Sequence, residues 1–280
     1  AAAMAITITD PQKRQYEEDG YPLVRGLIPR PIVDAAKQRI MAVARGAHDW
    51  QGGHFHNIDT TRYTWPDGKP MPAGLQLPAK CEKVFDDFAR HQNLIDAMEQ
   101  LLGGDVKLFT DQVGIKYAAI REEQGGCSYY HQDSYYWHID PSLGCNCWIP
   151  TDTVGKDAIA LSIMPGSHRD WTLREHEQYY DDPPICSGRD NIPFKRLRIP
   201  LDQVDYSNEV LVPMEPGDAL FFTNYTWHRS EPNRSGEDKC FYAIAYQLAA
   251  VPAAAKARAG SKRSKAASAV MEAASGVEGT

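Results

Sequence analysis

From Val106 to Leu248 short runs rich in β-branched and aromatic residues follow one another, each closed by a cluster of Gly, Pro or Asp, with no helical periodicity between them. The runs cover 106–117, 128–131, 145–153, 158–164, 209–213, 219–224 and 239–248. Strands joined without crossover helices pair antiparallel, so the pattern predicts a mainly β fold with flanking helices: a sandwich or cupin-like jelly roll. Ahead of it, Asp10 and Pro11 open a predicted helix over 12–19 that stops at Gly20, and 21–24 reads as a short strand. Ile32, Val33, Ala36, Ile40 and Val43 mark a helix over 31–47, and 82–102 reads as another, ending at Gly103-Gly104. Residues 48–80, rich in Gly, Pro, His and aromatics, read as a long irregular segment, which in a compact domain is functional or mobile.

Of the 280 residues, 42% are hydrophobic and 24% charged, a globular balance that excludes a disordered or collagen-like chain. No run approaches the ~18 apolar residues of a membrane span. The length suits one large β domain, expected over 1–251, followed at 252–280 by an Ala/Lys/Ser-rich tail, flexible or partly helical. The formal charge is −7, and the tail carries more basic than acidic residues, so the body is more acidic still. That argues against a nucleic-acid platform, which needs a basic face. Cys81, Cys127, Cys145, Cys147, Cys186 and Cys240 form no CxxC pair and read as reduced, mostly buried thiols. Ala1-Ala2-Ala3-Met4 reads as an addition before a natural Met, with no apolar signal core after it, so a cytoplasmic location is expected.

The chemistry concentrates at Tyr129-Tyr130-His131-Gln132-Asp133. In a strand, residues two apart share a face, so His131 and Asp133 can offer an imidazole and a carboxylate to one point. With one more distant His they would form the two-His, one-carboxylate set that leaves the far side of a ferrous ion open. A lone His-x-Asp is more often a structural pair, and a second copy, His138-x-Asp140, lies seven residues on. The second copy runs into Pro141 and a turn, which favours the first. His228, the last histidine in the chain, follows the apolar run 219–224 and is the candidate third ligand; alone, it would read as a hydrogen-bonded core histidine.

Four segments stand in the order seen in the phytanoyl-CoA dioxygenase family: His131-Gln132-Asp133, Met164-Pro165-Gly166-Ser167-His168-Arg169, Glu215-Pro216-Gly217-Asp218-Ala219-Leu220-Phe221-Phe222, and the stretch from His228 to Ser235. The opening from Tyr16 to Leu27 also resembles that family, and the likeness runs from about residue 15 to 248, poorly over 48–100. Trp137-His138 resembles its ectoine hydroxylase branch. The resemblance implies a double-stranded β-helix enzyme using Fe(II), 2-oxoglutarate and O2, with His131, Asp133 and His228 on the metal. Such an enzyme oxidises, most readily hydroxylates, an unactivated C–H of a small metabolite or natural product and releases succinate and CO2. Halogenating relatives lack the carboxylate that Asp133 supplies here.

For the far carboxylate of the cosubstrate, the family's Arg register falls on Lys239, eleven residues beyond His228, with Arg234 as the alternative. Ser230, Gln112, Trp148 and Lys116 match further positions around the cosubstrate. His54, His56, Tyr63 and Trp65, with Tyr135, Trp137 and His138, are the candidates for a substrate wall or lid, and His168 reads as structural. The expected partner is a small molecule, with neither nucleic acid nor membrane, and the oligomeric state is not legible. The competing reading is a cupin-like metalloprotein, an isomerase or an oxygenase, that uses no 2-oxoglutarate and needs no cation at the pocket end.

Overall fold

The computed structural model describes residues 6–46, 50, 52, 55–123, 125–137, 139–140, 143–187 and 190–250. The expected tail over 252–280 and the first four residues lie outside them. Helix α1 (Asp10–Asp19) and strand β1 (Leu23–Val24) lead into α2 (Arg30–Ala44), β2 (Phe55–Ile58), β3 (Pro72–Gln76), α3 (Lys83–Ala89) and α4 (Gln92–Leu102). Then come β4 (Val106–Lys116), β5 (Ser128–His131), β6 (Gly144–Pro150), β7 (Leu161–Ile163), β8 (Glu177–Tyr179), β9 (Ile185–Ser187), β10 (Ile192–Pro193) and β11 (Arg196–Arg198). The last are β12 (Val210–Val212), β13 (Ala219–Thr223), β14 (His228–Ser230) and β15 (Lys239–Leu248).

Local chemistry sets the helix ends. Thr9, one residue before the expected cap, accepts from the Gln12 N–H while the Gln12 side chain accepts from the Thr9 N–H, a reciprocal cap. Gly20, at φ +86°, closes the helix by donating to the Gln15 and Tyr16 carbonyls, a left-handed conformation that disfavours a side chain. The single helix expected over 82–102 is two. His91 is extended (φ −57°, ψ 135°), and its Nδ1 accepts from the Asn93 N–H, capping a new start.

Every named strand pair is antiparallel. A large sheet runs β1-β13-β6-β15-β4-β3-β2-β9-β10, a small one runs β12-β7-β14-β5, and β11 with β8 forms a two-stranded ribbon. The pleat sorts side chains between two cores. On β13, Ala219 and Phe221 join a core with α2, α3 and α4, whereas Leu220 and Phe222 join Trp148, Leu161, Ile163 and Val212 between the two sheets. On β15, Tyr242, Ile244 and Tyr246 face the helices and Ala243 faces the small sheet. Helices therefore cover one face of the large sheet and the small sheet covers the other, the expected mainly β jelly roll.

The segment 48–80 departs from its irregular reading: β2 and β3 within it extend the large sheet beyond β4. All six cysteines are free thiols. No described helix is long and apolar enough to cross a membrane.

Candidate active site

His131 ends β5 and His228 begins β14, and the two stand directly opposite each other in the small sheet. Opposed residues of an antiparallel pair project to the same face, and here the ring centroids are 4.3 Å apart. Between this pair and the next, Ser230 opposite Ser128, β5 carries one more residue than β14, a bulge that locally redirects the strand. Asp133 does not continue the strand as expected but opens a short 3₁₀ turn. It keeps the face of His131 because Gln132 between them is extended. Gln132 is fully buried and held on the opposite side: its amide donates to the Thr172 and Tyr225 carbonyls and accepts from the Arg174 N–H.

His131 Nε2 lies 3.7 Å and His228 Nε2 3.4 Å from Asp133 Oδ1, and one ligand atom from each residue falls within 4.8 Å of the others. This is the one such cluster of three or more His, Cys, Asp or Glu side chains among the described residues. The other imidazole nitrogens are fixed, His131 Nδ1 at 2.8 Å from the Tyr129 carbonyl and His228 Nδ1 at 3.0 Å from that of Thr226. Each Nδ1 therefore carries the proton, and each Nε2 lone pair points to the common focus. Asp133 Oδ2 accepts from Asn146 Nδ2 at 2.8 Å, leaving Oδ1 for that focus.

Burial, with the neighbouring imidazole, pushes the His131 pKa down to about 3, so this ring is neutral. Burial also works against charge on His228, but the Asp133 carboxylate outweighs it and raises that pKa. For Asp133 burial is overcome by the two imidazoles and the Asn146 amide, and the carboxylate is favoured. Two outward-protonated imidazoles and one oriented carboxylate fit a divalent first-row cation of the Fe(II) type.

The focus opens into a cavity of about 260 Å³ between the sheets. Lys116 Nζ, from the large sheet, reaches Ser230 Oγ at 2.5 Å and the Glu231 carbonyl at 3.3 Å. Ser128 and Ser230 complete this polar end, with hydroxyls 2.9 Å apart. Trp148 lines the cavity, stacked on Phe241 with centroids 5.1 Å apart, and Gln112 lines its exposed margin. Of the six expected cosubstrate residues, Ser230, Gln112, Trp148 and Lys116 thus share one cavity.

Lys239 and Arg234 do not line it. Lys239 stands opposite Lys116 in the β15–β4 register, where two like charges repel. Its ammonium turns instead to the Thr153 carbonyl at 2.9 Å and towards Glu237. Arg234 is pinned outside by Asp157 and the Glu123 carbonyl. Of the expected substrate wall, His56 lines the cavity and packs on Phe194 with centroids 5.0 Å apart. Tyr135 stacks on His176 and Trp137 packs against Phe109, away from the cavity lining. Tyr63 bonds Glu122 and Trp65 the Ala44 carbonyl, so both serve local packing. His54 and His138 lie outside the described residues, while the Asp140 carbonyl accepts from the Leu143 N–H. His168, as expected, is buried and bonds the Glu17 carbonyl.

Asn146, Gln132, Arg196 and Asp181 were not anticipated. Asn146 left a trace in the sequence, a lone amide in the run Cys145-Asn146-Cys147-Trp148, on a strand that proves wholly buried. Arg196 begins β11 and Asp181 follows β8, two short strands with no periodic signal, and both residues line the same cavity.

The profile of the family described as phytanoyl-CoA dioxygenase (PhyH) matches residues 16–240. The 1-deoxypentalenic acid 11-beta-hydroxylase of Streptomyces exfoliatus is 27% identical over 231 residues, covering 79% of this chain and 74% of that one. The apo structure of EctD from S. alaskensis superposes with a TM-score of 0.63 at 15% identity, over 89% of this chain and 80% of that one. The epimerase SnoN, solved with Fe3+, alpha ketoglutarate and nogalamycin RO, superposes at 0.58 with 18% identity, over 86% and 83%. The two solved structures carry the fold, and the family profile, spanning both histidines and the acid between the sheets, carries the kinship: the chain belongs to the phytanoyl-CoA dioxygenase family.

Proposed function

We propose that the protein is an Fe(II)- and 2-oxoglutarate-dependent dioxygenase that hydroxylates a C–H bond of a small molecule. The observation that carries the reading is the convergence of His131 Nε2, His228 Nε2 and Asp133 Oδ1 on one point beside a cavity whose other polar end is Lys116 with Ser230. Iron bound there would supply, with 2-oxoglutarate and O2, the oxidation of a substrate C–H coupled to release of succinate and CO2.

In this reading His131, Asp133 and His228 hold the metal, each aimed by its bond to Tyr129, Asn146 or Thr226. Lys116, in the cation's role for which Lys239 and Arg234 were the first candidates, takes the far carboxylate of the cosubstrate together with the expected Ser230 hydroxyl. An ammonium beside a hydroxyl suits a carboxylate, whereas a metalloprotein working without a keto acid has no use for that pair. Trp148 and Phe241 give the cosubstrate a flat apolar wall and keep bulk water from it. The family's hydroxylases, such as the relative named for 1-deoxypentalenic acid, support a small-molecule substrate.

The test is anaerobic addition of Fe(II) and 2-oxoglutarate to the protein, followed by exposure to O2. A visible metal-to-keto-acid charge-transfer band and succinate release are expected. Iron binding without that band and without succinate would turn the assignment to the keto-acid-independent metalloprotein.

A further inference from the structure

One charged pair in the cavity is not used by the metal or by the cosubstrate end. Arg196, the first residue of β11, lines the cavity, and its Nη1 donates to Asp181 Oδ1 at 3.0 Å, its one hydrogen-bond partner among the described residues. A buried ion pair that serves structure alone is expected to have its donors and acceptors satisfied, because desolvation otherwise outweighs the attraction. This pair is unsaturated on both sides. Asp181 Oδ2 is sealed from solvent without a partner, while the Arg196 side chain stays 25% exposed, its guanidinium 5.7 Å from the Tyr179 ring. With Oδ1 taken by Arg196 and Oδ2 sealed, the pair presents its cationic half to a ligand.

The ribbon holding Arg196 is fastened to the metal motif. The Ile199 N–H donates to the Tyr130 carbonyl at 2.7 Å, beside His131. Tyr136, in the turn that Asp133 opens, accepts from the Leu197 N–H at 2.9 Å, and its ring lies 6.4 Å from that of His131. Arg198 covers the Tyr129 ring at 4.5 Å. Arg196 is therefore set at a fixed place relative to the ligands, as a group that orients a substrate must be. The neighbouring lining, Ile58, Ile185 and Phe194, is apolar, and about 260 Å³ lies below the usual range of ligand cavities.

We propose that Arg196, oriented by Asp181, is the substrate-recognition residue, and that the substrate is a compact, largely apolar molecule carrying a carboxylate that seats on the free side of the guanidinium. A planar carboxylate matches that fork better than any neutral head group. The proposal rests on the oxygenase reading above.

The test uses the protein loaded anaerobically with Fe(II) and 2-oxoglutarate. It is titrated calorimetrically with alicyclic acids from cyclopentanecarboxylate to adamantanecarboxylate and with their primary amides. At least one acid should bind about tenfold or more tightly than its amide, as expected for a charge-assisted pair. R196Q should abolish that preference and R196K keep part of it, with 2-oxoglutarate affinity not weakened in either. R196K also serves should R196Q fail to fold. Acids and amides binding alike, or no acid binding to protein that does bind 2-oxoglutarate, overturns the proposal. So does R196Q keeping the preference, or losing 2-oxoglutarate, which would make Arg196 the cosubstrate's anchor. Wild-type protein that binds no 2-oxoglutarate fails the oxygenase reading itself, and this one with it.

Discussion

Each imidazole at the site is aimed by its far nitrogen, so removing one ring removes both a ligand and a preset direction. H131A should lose stoichiometric Fe(II) in an anaerobic metal assay, and iron retained at the wild-type level would take His131 out of the ligand set. The polar end divides Lys116 from Lys239, which the strand register places side by side. K116M should weaken 2-oxoglutarate binding by roughly ten- to a hundredfold, the range of a hydrogen bond to a charged group. K239M should leave the affinity unchanged while altering stability, because Lys239 bonds the Thr153 carbonyl instead. The pH dependence has a definite sign. Burial, with Arg196 adding to it and Cys127, Asp181 and Glu231 opposing it, lowers the Lys116 pKa to about 7. The ammonium that takes a carboxylate is thus complete below that pH and lost above it. Wild-type affinity should be flat on the acid side and fall by up to about tenfold per pH unit on the alkaline side until the pKa of the complex is reached, a fall absent from K116M. The family resemblance pointed to Lys239 by its place along the chain, because register across two strands, and the repulsion it creates, is invisible along one.

At the scale of elements, the strands that read clearly are those with apolar residues on both faces or a long alternating run. The ends of β5 and β15 coincide with their expected bounds, and β4 differs by one residue. Strands β8, β9, β10 and β11 were missed because they are two or three residues long and partly exposed, so no period can establish itself. β14 went unread because its histidine was taken as following a strand rather than beginning one. What no pattern could reveal is the fit between paired strands. Gly114 on β4 faces Phe241 on β15, and a Cβ there would stand 2.1 Å from the Phe241 ring. G114A must therefore displace the ring that stacks on Trp148, at a cost of about 1–3 kcal/mol for overpacking. The variant should unfold at lower denaturant and also bind 2-oxoglutarate more weakly. A stability loss with unchanged affinity would show that this ring does not bound the cosubstrate.

The molecule as a whole is held by two contacts across one large sheet, and the helix-side contact contains a buried charge remote from the chemistry. Asp111 on β4 is 1% exposed, and its Oδ2 accepts from the Ala79 N–H at 2.9 Å and the Tyr242 hydroxyl at 2.7 Å. Tyr242 in turn packs edge-on against Phe85 and Phe88 of α3, so this carboxylate ties helix to sheet. Burial raises the Asp111 pKa above the ordinary carboxylate value despite those two donors. An acid whose pKa is higher folded than unfolded binds its proton more tightly when folded. Stability should therefore decline as pH rises from the ordinary carboxylate range through the raised value, above which the fold bears the full penalty of the buried charge. D111N keeps an oxygen for both donors and removes the charge, so it should raise the melting temperature at neutral pH and abolish that decline. D111A leaves a buried N–H and hydroxyl unpaired and should destabilise the protein by about 1–3 kcal/mol per group. Because the metal focus lies across the sheet, neither variant should alter Fe(II) stoichiometry. A D111N protein less stable than wild type at neutral pH would mean that the carboxylate's charge strengthens its two hydrogen bonds by more than its burial costs.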